Sequence, residues 1–503
     1  MMDLINHLSL GFGVALLPMN IFYCFIGALL GTIIGVLPGI GPLATIAMLL
    51  PLTFGLPATS ALIMLSGIYY GAQYGGSTTA ILINLPGESS SAVTTIDGYQ
   101  MAKRGRAGPA LAAAGIGSFF AGTVATILIA VVAQPLTAIA LKFGSAEYFS
   151  LMVVGLISSI ALASGSIVKA IGMICAGLLL GLTGTDIYTG TPRFTFGSTE
   201  LLDGLDFVAI AVGVFGVSEI LRNLETTGSV RETVVKKVEN LWPNRSDLKR
   251  MIGPSIRGTV VGSFLGILPG GGALLSSFVA YNVEKKVSKN SAEFGKGAIE
   301  GVTAPEAANN AGAQTSFIPM LSLGIPSNAV MALMVGAMIL QGITPGPNVI
   351  TKNPDLFWGL IASMWVGNAM LIVLNLPLIG IWVALLRVPY TILFPAIIAF
   401  CCIGVYSVQN SSFAVYEVAV SGLIGYLLVK LDCELAPFIL GFILGPLLEE
   451  HLRRALIISG GDPTVFVTRP ISGVLLFLAL ITLVVVSMPS IAKKREEVFI
   501  EED

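Results

Sequence analysis

Charge is what this chain of 503 residues most lacks: Asp, Glu, Lys and Arg make up 11% of it, while 54% is hydrophobic. An ordinary soluble domain carries roughly 25% charged residues, and so few charges cannot clothe a water-exposed surface. Histidine is scarcer still. His7 and His451 are the only two, which argues against His-dependent metal sites and Ser-His nucleophiles of the usual kind. The five cysteines, Cys24, Cys175, Cys401, Cys402 and Cys433, show neither metal-ligand spacing nor a disulfide framework, and four lie in or beside apolar segments, where cysteine behaves as a small hydrophobe. Neither glycine cluster runs into Gly-Lys-Ser or Gly-Lys-Thr, so a phosphate-binding loop has no support. Asp186, Asp203 and Asp206 fall in a polar connection at 183–206 rather than inside helices, unlike the paired aspartates an intramembrane protease needs. No enzyme, no cofactor and no nucleic-acid partner is expected. Residues 1–10 lack the basic region of a cleaved signal peptide, so the first apolar segment is expected to stay as an anchor.

What the chain has is long apolar segments. Residues 107–141 contain no charge, and residues 357–386 repeat the pattern; each exceeds the ~20 residues that span a ~30 Å hydrocarbon layer. They are punctuated by Gly and Pro and show no period-2 alternation, which favours helices over a barrel. The expected fold is an all-α polytopic membrane protein, with about 10–12 membrane segments, in the bacterial inner membrane. The one long polar stretch carries Arg222, Arg231, Lys236, Lys237, Arg245, Lys249, Arg250 and Arg257, and the excess of basic residues places it in the cytoplasm. The chain therefore divides into a first transmembrane repeat at 1–225, a basic linker at 226–250, and a second repeat at 251–503 that ends in a short charged tail.

The word repeat rests on self-similarity. Gly27, Gly31, Gly35, Leu37, Pro38, Gly39 and Gly41 recur at the same mutual spacing as Gly258, Gly262, Gly266, Leu268, Pro269, Gly270 and Gly272. A weaker match pairs residues 76–93 with 312–330, with one inserted residue. After the first element the first half has no Lys or Arg at 51–74, whereas Lys103, Arg104 and Arg106 follow its second element; in the second half Lys285, Lys286, Lys289 and Lys296 follow the first element and only Lys352 the second. Corresponding loops thus face opposite sides. Such an inverted-topology repeat recurs in secondary transporters and sets the substrate site at the repeat interface.

The Gly-x3-Gly-x3-Gly spacing puts three glycines on one helix face, for close packing against a neighbour. Pro38 then removes a backbone donor and Gly39 and Gly41 tolerate left-handed backbone, so residues 37–42 should break the helix, as should 268–272 with Gly270, Gly271 and Gly272. Broken backbone at membrane depth is tolerated only where it is buried in protein or lines a wet cavity, and free helix N-termini attract anions. The second elements add two polar clusters. One is Asn84, Pro86, Gly87, Glu88, Ser89, Ser90 and Ser91; the other holds Glu306, Asn309, Asn310, Gln314, Thr315, Ser316, Ser322, Gly324, Pro326, Ser327 and Asn328. Hydroxyls and amides can take up a carboxylate and release it again. An acidic side chain at membrane depth costs roughly 2.5–3.5 kcal/mol on insertion scales, so Glu88 and Glu306, with Thr78 and Thr315, are the candidates to hold a coupling cation or a proton; Na⁺ is the one metal this allows. Lys142, Glu147, Lys169 and Arg193 flank apolar stretches as interfacial anchors.

At these residues the chain resembles the large membrane subunit of the bacterial tripartite tricarboxylate transporters. The likeness rests on G-V-L-P-G-I-G-P at 35–42, Y-G-G-S-T-T-A-I-L-I-N-L-P-G-E at 74–88, D-G-Y-Q-M-A-K-R-G-R-A-G at 97–108 and E-G-V-T-A-P-E-A-A-N-N-A at 300–311. It implies an ion-coupled importer of citrate or another small carboxylate, working with a small membrane subunit and a periplasmic solute-binding protein, and assigns the substrate to the two polar clusters. One departure stands out. The family often reads L-G-I-P-G-S where this chain has L-G-I-P-S-N at 323–328, and Ser327 stiffens a turn beside the expected ligand, which leaves a dicarboxylate or another organic acid open. A channel or a membrane scaffold is the competing class, and a scaffold has no use for duplicated broken helices.

Overall fold

The computed structural model describes residues 2–37, 41–162, 166–226, 238, 240–268, 272–385 and 390–487. The chain is helical almost throughout. Its first part runs through α1 (Met2–Ala15), α2 (Pro18–Gly35), α3 (Pro42–Leu49), α4 (Ala58–Ile83), α5 (Ala92–Lys103), α6 (Ala107–Ala140), α7 (Ser145–Leu162) and α8 (Ile167–Gly181). A loop with a two-residue antiparallel pair, Gly184–Thr185 with Pro192–Arg193, leads to α9 (Phe207–Glu225). The second part comprises α10 (Arg245–Ile267), α11 (Gly272–Val287), α12 (Glu300–Thr315), α13 (Phe317–Leu323), α14 (Ala329–Leu340), α15 (Pro354–Asn375), α16 (Ile379–Leu385), α17 (Tyr390–Gln409), α18 (Ser412–Lys430), α19 (Leu435–Ile458) and α20 (Pro470–Ser487).

Among the described residues six helices of at least 18 residues are long and apolar enough to cross a membrane, and six shorter apolar helices accompany them. Large apolar side chains such as Phe25, Ile127, Val260, Phe264 and Phe477 point outward, while Gln73, Thr79, Asn309, Gln314 and Asn368 are fully buried. That inverts the soluble pattern, because lipid solvates the outward leucines and phenylalanines as well as a core would. Helices in lipid associate through close backbone packing and interhelical hydrogen bonds instead.

Both glycine ladders do this. A Cβ placed on Gly27, Gly31 or Gly35 of α2 would fall 2.2–2.3 Å from the carbonyl oxygens of Met64, Ile68 and Ala72 in α4; on Gly258, Gly262 or Gly266 of α10 it would fall 2.3 Å from those of Ala304, Ala308 and Gly312 in α12. The same contact is thus made twice. Each ladder helix then ends at a break, and the chain folds back. Ser60, at the start of α4, donates to Asn20 at the start of α2 at 2.6 Å, and Arg257 of α10 pairs with Glu284 near the end of α11 at 2.7 Å. The breaks themselves, 38–40 and 269–271, lie outside the described residues, and with them Gly39, Gly270 and Gly271.

The pairing of the second elements is corrected by one helical turn. Asn84 (φ 57°) closes α4 as Gly324 (φ 76°) closes α13; Pro86 and Pro326 follow at the same distance, and Glu88 and Asn328 open the next elements. Residue 76 therefore matches 316, not 312. Small-residue faces repeat about every four residues along a helix, so a sequence match is nearly as good one turn out of register.

Many of the basic residues of the second elements and the linker collect at one end of the bundle. Arg106, beyond α5, pairs with Asp247 at 2.7 Å, and Arg250 holds Glu293 and Glu300 at 2.6 Å. Beside them the buried carboxylate of Asp97 accepts from the Gly297 and Ala298 amides at 2.7 and 2.8 Å and from the Tyr281 hydroxyl at 2.9 Å, tying α5 to the second half. Of the basic linker, 227–237 and 239 lie outside the described residues.

The ladders make a testable demand. Gly31→Val and Gly262→Val should each lower thermal stability by about 1–3 kcal/mol or prevent folded protein from accumulating, whereas Gly13→Val, with open space around its Cβ, should be silent. Melting of detergent-extracted protein by size-exclusion recovery reads both.

Candidate functional site

The two broken ends meet at a cavity of about 960 Å³, near the upper end of the ~300–1,000 Å³ usual for small-molecule sites. Its wall includes Gly41 at the start of α3 and Gly272 at the start of α11, one from each half. Glu88, which opens the short turn Ser89–Ser91 into α5, and Asn328, which caps α14, line it as well. Four helix beginnings therefore open on one space. The beginnings of α3 and α11 turn partial positive charge toward it, a favourable contact for an anion of roughly 0.3–1 kcal/mol apiece, while Glu88 and Asn328 each already accept a first-turn amide at the other two.

Local hydrogen bonding holds this geometry. Gly87 packs so tightly that a Cβ would fall 2.1 Å from the Gly35 carbonyl oxygen, so only glycine lets the 84–91 loop reach the end of α2. The Asn328 side chain accepts from the Met331 amide at 3.0 Å and donates to Ser316 at 3.1 Å. Glu88 accepts from the Ser90 hydroxyl and, at 3.0 Å, from the Asn309 amide. In the cavity wall Gln73 is fully buried, with the Tyr69 hydroxyl beside its amide. A buried amide that keeps unused hydrogen-bonding capacity costs free energy, and in this wall it is within reach of a polar ligand.

Two comparisons with known proteins bear on this. The model of the family described as "Tripartite tricarboxylate transporter TctA family" matches residues 21–440. The chain belongs to that family. It is 65% identical over its full 503 residues, and over the whole of the relative, to an "Uncharacterized 52.8 kDa protein in TAR-I ttuC' 3'region" of Agrobacterium vitis. It is also 64% identical over 242 residues, 48% of this chain and all of the relative, to an "Uncharacterized protein in TAR-II ttuC' 3'region" of the same organism. No solved structure matches. The protein is a multi-pass inner-membrane permease of a transporter family.

In this TctA-family permease the expected site residues separate into two groups. Gly41, Asn84, Pro86, Gly87, Glu88, Ser89, Ser90, Gly272 and Asn328 line the cavity. The others stand behind it. Ser91 donates to the Glu88 carbonyl at 2.9 Å, and Asn309 reaches Glu88 from the protein side. Asn310 donates to Ser118 of α6 at 2.7 Å. Pro326 and Ser327 are buried in the turn, with the Ser327 hydroxyl directed at the Ser316 carbonyl at 3.4 Å, so its stiffening acts away from the cavity. Thr78 and Thr315 spend their hydroxyls on their own helices, on Tyr74 and Ala311. Glu306 is buried outside the cavity wall and takes hydroxyl donors from Ser77, at 2.6 Å, and Thr94. It joins α12 to α4 and α5.

Residues that sequence reasoning passed over also line the cavity: Tyr69, Gln73, Thr95, Ser218, Glu219, Arg222 and Asn223. Tyr69 and Gln73, one turn apart in α4, were visible as polar residues at membrane depth. Arg222 was read only as the first basic residue of the long polar stretch.

The two groups predict opposite phenotypes. Gln73→Leu removes a cavity-wall amide and should leave the melting temperature nearly unchanged while transport is lost; Asn310→Leu should cost about 1–3 kcal/mol of stability by removing the donor to the buried Ser118 hydroxyl. Thermal melts beside transport assays of the two variants decide this.

Proposed function

We propose that the chain is the permease subunit of a binding-protein-dependent, cation-coupled secondary transporter that imports small carboxylates, with the anion held in the cavity between the two broken ends. The observation that carries this reading is the convergence of four helix beginnings, with hydroxyl and amide groups between them, on a single space. That combination suits an anion which must be bound and then let go. The paired ladders and fold-backs support two inverted repeats. The basic end, with Lys103, Arg106, Arg250 and Lys285, is cytoplasmic on this reading. Glu88, in the cavity wall, is the stronger candidate for a coupling Na⁺ or proton; Glu306 is the second. A small membrane subunit and a periplasmic solute-binding protein complete the system.

Citrate or a related tricarboxylate is the first ligand to try. A dicarboxylate is the alternative, favoured by Asn328, which replaces the serine common in the family and lies in the cavity wall. In proteoliposomes containing this chain, the small subunit and the binding protein, uptake of labelled citrate or succinate should saturate and should rise several-fold with an inward Na⁺ or proton gradient. Non-saturating flux indifferent to both gradients would sink the coupled-carrier reading.

A further inference from the structure

Helix α9 crosses the molecule in one piece, yet Val212–Val217 is wound as a π-helix. A π turn takes up one residue more than an α turn and so rotates everything after it by about 100°. This turn is built in. A Cβ on Gly213 would fall 1.9 Å from the Ser421 hydroxyl and 2.6 Å from the Val418 carbonyl oxygen in α18, and one on Gly216 would meet the Met48 side chain of α3 at 3.0 Å. Ser218 closes the turn by donating to the Val214 carbonyl.

Beyond the turn, Ser218, Glu219, Arg222 and Asn223 line the cavity, with Phe215 one turn before them. That is the spacing of a single helix face, and without the extra residue the face would turn away. Arg222 is the only cationic side chain in the cavity wall among the described residues. Elsewhere the pattern differs. Arg106, Arg193, Arg250, Arg257, Arg453 and Arg469 each hold a carboxylate at 2.6–2.9 Å, whereas Arg222 is exposed in the wall and interacts through space with Glu219, three residues earlier. It lies where α5, α9 and α11 run out toward the basic end.

We propose that Arg222, aimed by the π turn, is the residue that reads the charge of the transported anion: its guanidinium takes one carboxylate while the helix beginnings across the cavity take the rest. This rests on the carboxylate reading above and adds to it the group that makes affinity depend on ligand charge. A planar guanidinium suits a carboxylate through two parallel hydrogen bonds. The bland competitor is a surface arginine that serves only to orient the helix in the membrane.

The test is binding to the purified permease of citrate, succinate and butyrate, which carry three, two and one carboxylates. Arg222→Gln should weaken citrate and succinate about 10- to 100-fold and butyrate far less, with unchanged melting; Arg222→Lys should fall between. Returning a cation to the same face, as Glu219→Arg with Arg222→Gln, should restore much of the loss, and Leu221→Arg with Arg222→Gln should not. Arg222→Gln within twofold of wild type for all three ligands, or equal rescue from positions 219 and 221, would overturn the proposal. Wild-type protein that binds none of the three overturns the carboxylate reading itself, a distinct result.

Discussion

Everything else in this molecule depends on two places where helix backbones touch. Glycines at every fourth position of α2 and α10 bring carbonyl oxygens of α4 and α12 to where a Cβ would stand. In lipid there is little hydrophobic gain from pressing helices together, so such contact depends on dispersion and on polar groups brought within reach. It has a geometric consequence too. Because each ladder runs to the last turn before the break, the broken ends are held at fixed depth against their partner helices. Gly87 can then reach the Gly35 carbonyl, and Ser316 that of Gly266 at 3.3 Å. The ladders place the ends, and the ends make the cavity.

The buried carboxylates show how the halves are joined. Asp97 and Glu306 each cross from one half to the other and are met by neutral donors: backbone amides and a tyrosine for Asp97, two hydroxyls for Glu306. At the basic end arginines serve instead: Arg106, Arg250 and Arg257 meet the buried carboxylates of Asp247, Glu300 and Glu284. Glu88 differs in facing the cavity, where its Ser90 and Asn309 partners leave it within reach of a ligand or an ion. Three acidic residues of one chemical type thus hold three different positions, and only the one in the cavity wall is placed to meet what passes through it.

How much of this was legible depended on whether the signal was local. A run of 35 uncharged residues, a Leu-Pro-Gly break and a glycine every four residues all act within one or two turns of helix, so they can be read directly from the chain. The polar loop at 84–90 was legible for the same reason: polar groups at membrane depth must be satisfied by something. Asn310 looked like its neighbours by composition, but α6 lies on its side of α12 and claims its amide for Ser118. Residues 76 and 316 could not be matched in sequence because a four-residue slip preserves the small-residue face.

By itself the sequence determined that the chain lives in a membrane, that it is helical, that it carries two broken segments, and which family it resembles. These follow from solvent and backbone chemistry, which each residue carries with it. Only the tertiary structure decided which polar groups share a cavity and which support it. That choice turns on helix phase, where one residue more or less rotates a face by about 100°. The π turn before Arg222 is such an extra residue, and no propensity in Val-Gly-Val-Phe-Gly-Val announces it; it exists because Gly213 fits against α18 and Gly216 against α3.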